Sequence, residues 1–335
     1  MNIDLTDEAV EFGVQARRAL EAAGGDDLVQ RAERAPEGRA DAVAPVLAEL
    51  GAWDLDVRSG ADELEAAAAL CRSAGYWAVP YPVAERLARP AGPGAAGDGS
   101  AADGAGPAAA GLVVVDGRAP AGRVAGLDGP WATVTLDGRC RLATPLPPAE
   151  PPRRSAFVAA LAPQDGEATL GPVDVALGLV LPCWTLLGML DRAVELTRAY
   201  VGDRRQFGQA LASFQGVQFQ LTEAEVERAG VAELAGYALW SIEAGRPDAV
   251  ADALALRLAA VEAAEVVFRI THQLHGAIGF CDETVLSWLS RHSQPLRRLP
   301  FGPSGTRDAL TRALGRRGLS GLFDALAPGG TEGGR

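Results

Sequence analysis

Residues 204–215 read RRQFGQALASFQ. Arg204 and Arg205 carry guanidinium forks suited to phosphate oxygens. Phe207 offers a flat apolar face, Gln206 and Gln215 offer amide groups, and Gly208 lets another molecule approach the backbone closely. Phosphate, flat ring and ring edge together describe a nucleotide. A solvated arginine corner with a core phenylalanine uses the same residues, and residue chemistry alone leaves both readings open. A second polar group lies at HQLHGAIGF, residues 272–280. There Gln273 and His275 precede Gly276 and Gly279, which tolerate left-handed or closely approached backbone. His272 and His275 have a spacing that two metal ligands could use. With only three histidines in the chain and no cysteine beside them, polar residues satisfied at a helix end are the simpler reading. The GxxxxGK[ST] pattern of a phosphate-binding loop is absent.

Helical periodicity stops near Val201 and resumes near Phe214, so the first stretch is expected at a corner between antiparallel helices. Upstream, the run from residue 175 places Leu187, Leu190, Val194 and Val201 on one face. Downstream, residues 213–242 form a long expected helix with Ser213 as N-cap. Residues 246–276 form another, apolar nearly all round and therefore expected to be buried, with core positions Val261, Val266, Val267 and Ile270. A shorter helix is expected over 305–326 and a disordered tail over 327–335.

The first 90 residues read as helical, with Thr6 capping the first helix and Asp7 and Glu8 in its first turn. Further helices are expected over 41–56, ending near Gly51, and over 61–77, ending near Gly75. Residues 79–87 read as a proline-broken connection. Residues 91–110 are a Gly/Ala-rich linker without core-forming side chains. Short β-branched runs then follow in GLVVVDG, WATVTLDG and SAFVAALA, with a rigid connector at 144–154. The domain plan is a helical region over 1–90, a linker and small β domain over 91–170, and a helical bundle over 171–326.

The chain has 335 residues, 48% apolar content and a formal charge of -12. All 31 residues counted as Lys plus Arg are arginine. Net negative charge argues against nucleic-acid or anionic-membrane partners. Cys71, Cys140, Cys183 and Cys281 stand far apart, which disfavours a zinc site and fits free thiols in the cytoplasm. No N-terminal signal pattern and no apolar run of membrane-spanning length is read.

The two stretches, R-x-Q-F-G-x-x-x-x-x-F-Q and, about sixty residues later, H-Q-x-x-G-x-x-G-F, resemble the C-terminal half of the acyl-CoA dehydrogenase family. The resemblance implies a mainly α fold: an N-terminal helical domain, a small middle β domain and a C-terminal four-helix bundle. It implies FAD as cofactor, with Arg204, Gln206, Phe207 and Gln215 on its pyrophosphate and adenosine. Gln273, Gly276 and Ala277 match the family's Q-x-x-G-G contacts, with alanine replacing the second glycine. In the family these contacts reach an FAD whose flavin lies in a neighbouring subunit.

The family's chemistry needs a carboxylate to take the α-proton of a thioester. The family positions for that glutamate fall in RRLPFGPSG, 297–305, and VALGLVLPCW, 175–184, and neither holds an acid. Asp174 is the nearest weak candidate. The usual flavin-covering segments of the middle domain are also missing. The expectation is therefore a degenerate subunit that supplies the adenosine side of a shared FAD. A homologous subunit would carry the catalytic Glu, an acyl-CoA would be the substrate and an electron-transfer flavoprotein the acceptor. The alternatives are a self-sufficient enzyme with Asp174 as displaced base, or a non-catalytic scaffold of the same fold.

Overall fold

A computed structural model describes residues 3–90, 108–147 and 155–315. The N-terminal region holds α1 (Asp7–Ala22), α2 (Asp27–Arg34), α3 (Ala44–Glu49), α4 (Ala61–Tyr76) and α5 (Val83–Leu87). Thr6 caps α1 by accepting from the Ala9 amide, and its own hydroxyl donates to Glu65 at 2.7 Å, tying the cap to α4. The expected helix over 41–56 is a short one, α3, and Gly51 follows its end at φ 70°. The proline-rich connection over 79–87 contains the helical turn α5.

The β domain comprises β1 (Leu112–Val114), β2 (Ala121–Gly122), β3 (Trp131–Val134), β4 (Arg139–Pro145), β5 (Ala159–Pro163) and β6 (Ala168–Thr169). Strand order is β1-β3-β4-β5-β2, with β6 also on β4. The β1–β3 pair is parallel, with Leu112 opposite Ala132; β3–β4 is antiparallel, with Trp131 opposite Ala143. The period-two rule of strands sets which face each residue serves. Leu112 and Val114 join the main core, while Val113 and Val115 join a second cluster with Trp131 and Leu161.

The C-terminal region begins with α6 (Pro172–Asp203), whose proline at the first turn lacks an amide the helix would leave unused anyway. By length and composition α6 could cross a membrane, which corrects the reading that no apolar run is long enough; most of its apolar stretch is buried in the core. A hairpin of β7 (Arg205–Gln206) and β8 (Gln209–Ala210) follows. Then come α7 (Gln215–Glu243), α8 (Ala249–His275), α9 (Val285–Arg298) and α10 (Pro303–Leu314). Ser213 is not the cap of α7: it lies in a 3-10 turn, and Phe214 occupies the N-cap without a side-chain bond. Helices α2 and α9 are additions to the elements read from sequence. The linker over 91–107, the connector over 148–154 and everything after 315 lie outside the described residues.

Two glycines set the approach of α4 to α6. A Cβ on Gly75 would stand 1.8 Å from the Thr185 carbonyl oxygen, and one on Gly188 would stand 1.9 Å from that of Arg72. The helix backbones touch there. Arg72 and Arg228 both pair with Asp191, at 2.6 and 3.0 Å, so α4, α6 and α7 are also joined by charge. Val261, Val267 and Ile270 are fully buried as α8 packs against α6 and α7, and Val266 packs against the same core. This frame holds the ends of α6 and α8 and the start of α7 together.

Candidate nucleotide-cofactor site

The corner after α6 is a two-residue β-hairpin. Arg205 pairs with Ala210 and Gln206 with Gln209. The loop residues Phe207 and Gly208 have φ of 51° and 81°. Two positive values in succession are the signature of a type I′ turn, which favours Gly, Asn or Asp in both places. Phenylalanine in the first place is strained, and it is 91% exposed. Its ring meets Phe214 edge-on at 6.2 Å. The hairpin is anchored to α6 by Arg204 N donating to the Tyr200 carbonyl and Leu211 N donating to that of Arg204, each at 2.8 Å. Arg204, Arg205, Gln206 and Gln215 are all exposed. Among the described residues, neither arginine has a carboxylate within ion-pair distance.

The second stretch lies at the same end of the bundle. Tyr200, in the last turn of α6, stacks on His275, in the last turn of α8, at 4.4 Å and 15°. Gly276 ends α8 at φ 67° and ψ -148°, a conformation open essentially to glycine alone. A cavity of about 510 Å³ opens here, bordered by Arg269, His272, Gln273, Gly276 and Phe280. The rings of His272 and Phe280 stack at 4.3 Å. His272 Nδ1 is buried without a hydrogen-bond partner of good geometry, although the Gly279 backbone lies close enough to act on the ring. Burial, and then the neighbouring His275, lower the His272 pKa; burial also lowers that of His275. Both rings are therefore neutral near pH 7.

Gln273 and Gly276 border this cavity, whereas Ala277 lies on the exposed turn beside it. Arg204, Gln206, Phe207 and Gln215 stand outside the cavity on the neighbouring hairpin and helix start. The donor set suits a dinucleotide: unpaired guanidinium groups, exposed amides, a presented ring, and an orphaned ring nitrogen in a cavity. Among the described residues no group of three or more His, Cys, Asp or Glu is placed to hold a metal ion.

Asp174 lies elsewhere, in the first turn of α6. Arg58 grips its Oδ1 through Nη2 at 2.5 Å and Nε at 3.0 Å, and also donates to the Ala88 and Arg89 carbonyls. That ion pair fastens α6 to the N-terminal region and engages Oδ1 of the carboxylate. A carboxylate absent from the sequence reading is Glu85 on α5. It is buried, stands 4.0 Å from Arg123, and its Oε2 has no partner. Glu85, Arg123 and Arg257 border a cavity of about 40 Å³. That volume admits about one water and no acyl chain. The sequence signal for Glu85 was a lone acid in the apolar run YPVAERL.

Residues 180–319 match the acyl-CoA dehydrogenase C-terminal domain. The C-terminal bundle thus carries an acyl-CoA dehydrogenase C-terminal domain. The acryloyl-CoA reductase (NADH) of Anaerotignum propionicum is 29% identical over 108 residues, 32% of this chain and 27% of that protein. Acyl-CoA dehydrogenase FadE28 of Mycobacterium tuberculosis is 32% identical over 130 residues, 37% of this chain and 38% of that protein. The first three curated relatives are thus matched over 25–38% of their length. The likeness of fold extends further. The ChsE4–ChsE5 complex from Mycobacterium tuberculosis superposes with a TM-score of 0.69 over 94% of this chain and 99% of that one, at 16% identity. The family's architecture, helices around a middle β domain with a C-terminal bundle, is present here.

Proposed function

We propose that this chain is a subunit of a cytoplasmic FAD-dependent acyl-CoA dehydrogenase that presents the adenosine side of a flavin site to a homologous partner. The observation that carries the reading is the exposure of Arg204, Gln206, Phe207 and Gln215 at one bundle end, on a strained hairpin whose tip makes one edge contact, with Phe214, among the described residues. Arg204 would bind pyrophosphate oxygens, Phe207 would cover the adenosine, and Gln215 and Gln273 would bond to ring edges or phosphate. Gly276 and Ala277 would allow the cofactor close to the backbone. FAD, when bound, supplies the hydride acceptor for α,β-desaturation of an acyl-CoA thioester.

The partner would supply the catalytic glutamate, because both family positions for it lack an acid here and Asp174 is held by Arg58. An electron-transfer flavoprotein would reoxidise the complex. The ChsE4–ChsE5 complex offers a parallel for unequal chains of this fold.

The test is to purify the chain alone and with a homologous glutamate-bearing subunit, then read flavin absorbance. Flavin in the pair only is the expected result. Flavin and activity in the chain alone, lost in Asp174→Asn, would establish the self-sufficient alternative. A colourless pair would leave a scaffold. In the assembled pair, Arg204→Ala and Gln273→Ala should each weaken flavin retention by about 1–3 kcal/mol. Unchanged retention removes these residues from the site.

A further inference from the structure

A cavity of about 820 Å³ lies far along the chain from the hairpin, where the loop after α3, the end of α5 and strands β3 and β4 meet. Its walls include Trp53, Leu55, Leu87, Ala132, Leu142 and Leu170. This size and apolar lining are those of a small-molecule site. It shares no lining residue with the cavity at the end of α8.

Its polar groups are unevenly matched. Arg58 is taken by Asp174, and Arg141 by Glu167. Arg86 and Arg89 also border the cavity, and among the described residues neither has a carboxylate within ion-pair distance. Arg86 is half-buried. Its guanidinium lies 5.0 Å from the Trp53 ring centre and 5.4 Å from that of Tyr81, and it donates to the Tyr81 hydroxyl. Burial, and then the like charge of Arg89, lower the Arg86 pKa. Aromatic faces hold a guanidinium in place but leave much of its fork free to donate. The carboxylates bordering the cavity, Asp54, Asp56, Asp165 and Glu167, are exposed to water and do not compensate the inner cation.

We propose that this cavity binds an amphipathic carboxylate, its apolar body against Leu55, Leu87, Leu142 and Leu170 and its anionic head between Arg86 and Arg89. An anion there would relieve both the burial of Arg86 and its repulsion from Arg89. An uncharged apolar ligand would leave both cations without a counter-charge. A cationic one would add a third like charge.

Dodecanoate, dodecanol, dodecylamine and dodecanoyl-CoA serve as probes, titrated calorimetrically into the full chain. The expected result is one dodecanoate site, with dodecanol at least about tenfold weaker and no dodecylamine binding. Arg86→Gln should weaken dodecanoate by about tenfold or more. Arg89 is exposed, so Arg89→Glu should fold normally; it should weaken dodecanoate similarly and admit dodecylamine. Equal binding of dodecanoate and dodecanol, or an Arg89→Glu chain that binds dodecanoate like the parent, overturns the proposal. Dodecanoyl-CoA binding more tightly than dodecanoate, with the same dependence on Arg86 and Arg89, overturns it too and assigns the cavity to a thioester. Flavin content of the subunit pair is read separately, so loss of the cofactor reading leaves this result standing, and the reverse.

Discussion

Phe207 concentrates the case for function in one residue. A bulky side chain at positive φ costs about 1–2 kcal/mol, and its exposed ring recovers little through the single edge contact with Phe214. Asparagine tolerates that backbone far better. Phe207→Asn should therefore raise the unfolding free energy of the isolated chain by about 1 kcal/mol. In the assembled pair it should lower flavin retention. Opposite signs in chemical denaturation and in flavin release are the expected outcome; a loss in both would make Phe207 an ordinary structural residue. The corner that holds Arg204, Gln206, Phe207 and Gln215 was legible in sequence because helical periodicity stops before it and resumes after it. The strain was not, since it resides in backbone angles. His272 and His275 support a pH prediction at the same scale. Their folded pKa values lie below the unfolded value of about 6.5, so folding favours the neutral rings. Their contribution is complete above about pH 6.5 and is lost as pH falls below it, because the unfolded chain takes up the protons first. The melting temperature should fall between pH 7 and 5, and His272→Phe should make that fall shallower. Glu33, whose pKa is lowered chiefly by its hydrogen bond to His292, acts in a lower window, below the ordinary carboxylate value.

At the scale of elements, α4 and α6 depend on absent side chains. The Gly188 position leaves no room for a methyl group, because the Arg72 carbonyl and the Tyr76 amide already occupy it. Gly188→Ala must push the helices apart or distort them, at a cost of about 1–3 kcal/mol. Denaturant titration should show that loss, while Gly202→Ala, at a position with nothing within 4 Å of the added carbon, should show little or none. Gly75 illustrates what the sequence could and could not say. It marks the end of α4, as its position suggested, but its larger role is contact with α6, and no local pattern reports a partner so distant in the chain. Helices α6, α7 and α8 were legible because long apolar periodicity dominates their composition. Helix α9 was harder: Pro295 and a mixture of serine, histidine and arginine interrupt its pattern, and tertiary burial of Leu286, Trp288, Leu289 and Leu296 sustains it. Ser213 failed as a cap because the 3-10 turn carries the chain one residue further before α7 begins.

For the whole molecule, the far face of α7 carries an exposed apolar row. Phe219, Val226 and Leu234 are 64%, 63% and 38% exposed. Their spacing of about two turns per step places them along one face. Phe219 stands one turn beyond Gln215, so this apolar stripe continues directly from the exposed cofactor-type residues of the hairpin. Contiguous exposed apolar surface of larger extent marks an interaction site. If a homologous subunit completes the flavin site, its approach to Phe207 and Gln215 must bring it over Phe219 as well. Phe219→Arg and Val226→Glu touch no buried core position, so the isolated variants should keep the circular dichroism spectrum and melting temperature of the parent. In co-expression they should fail to hold the partner and should lose flavin together with it. Retention of the partner with loss of flavin would confine the stripe to cofactor binding. Retention of both would show that the subunits meet through another face, and the hairpin would then need a different route to the shared cofactor.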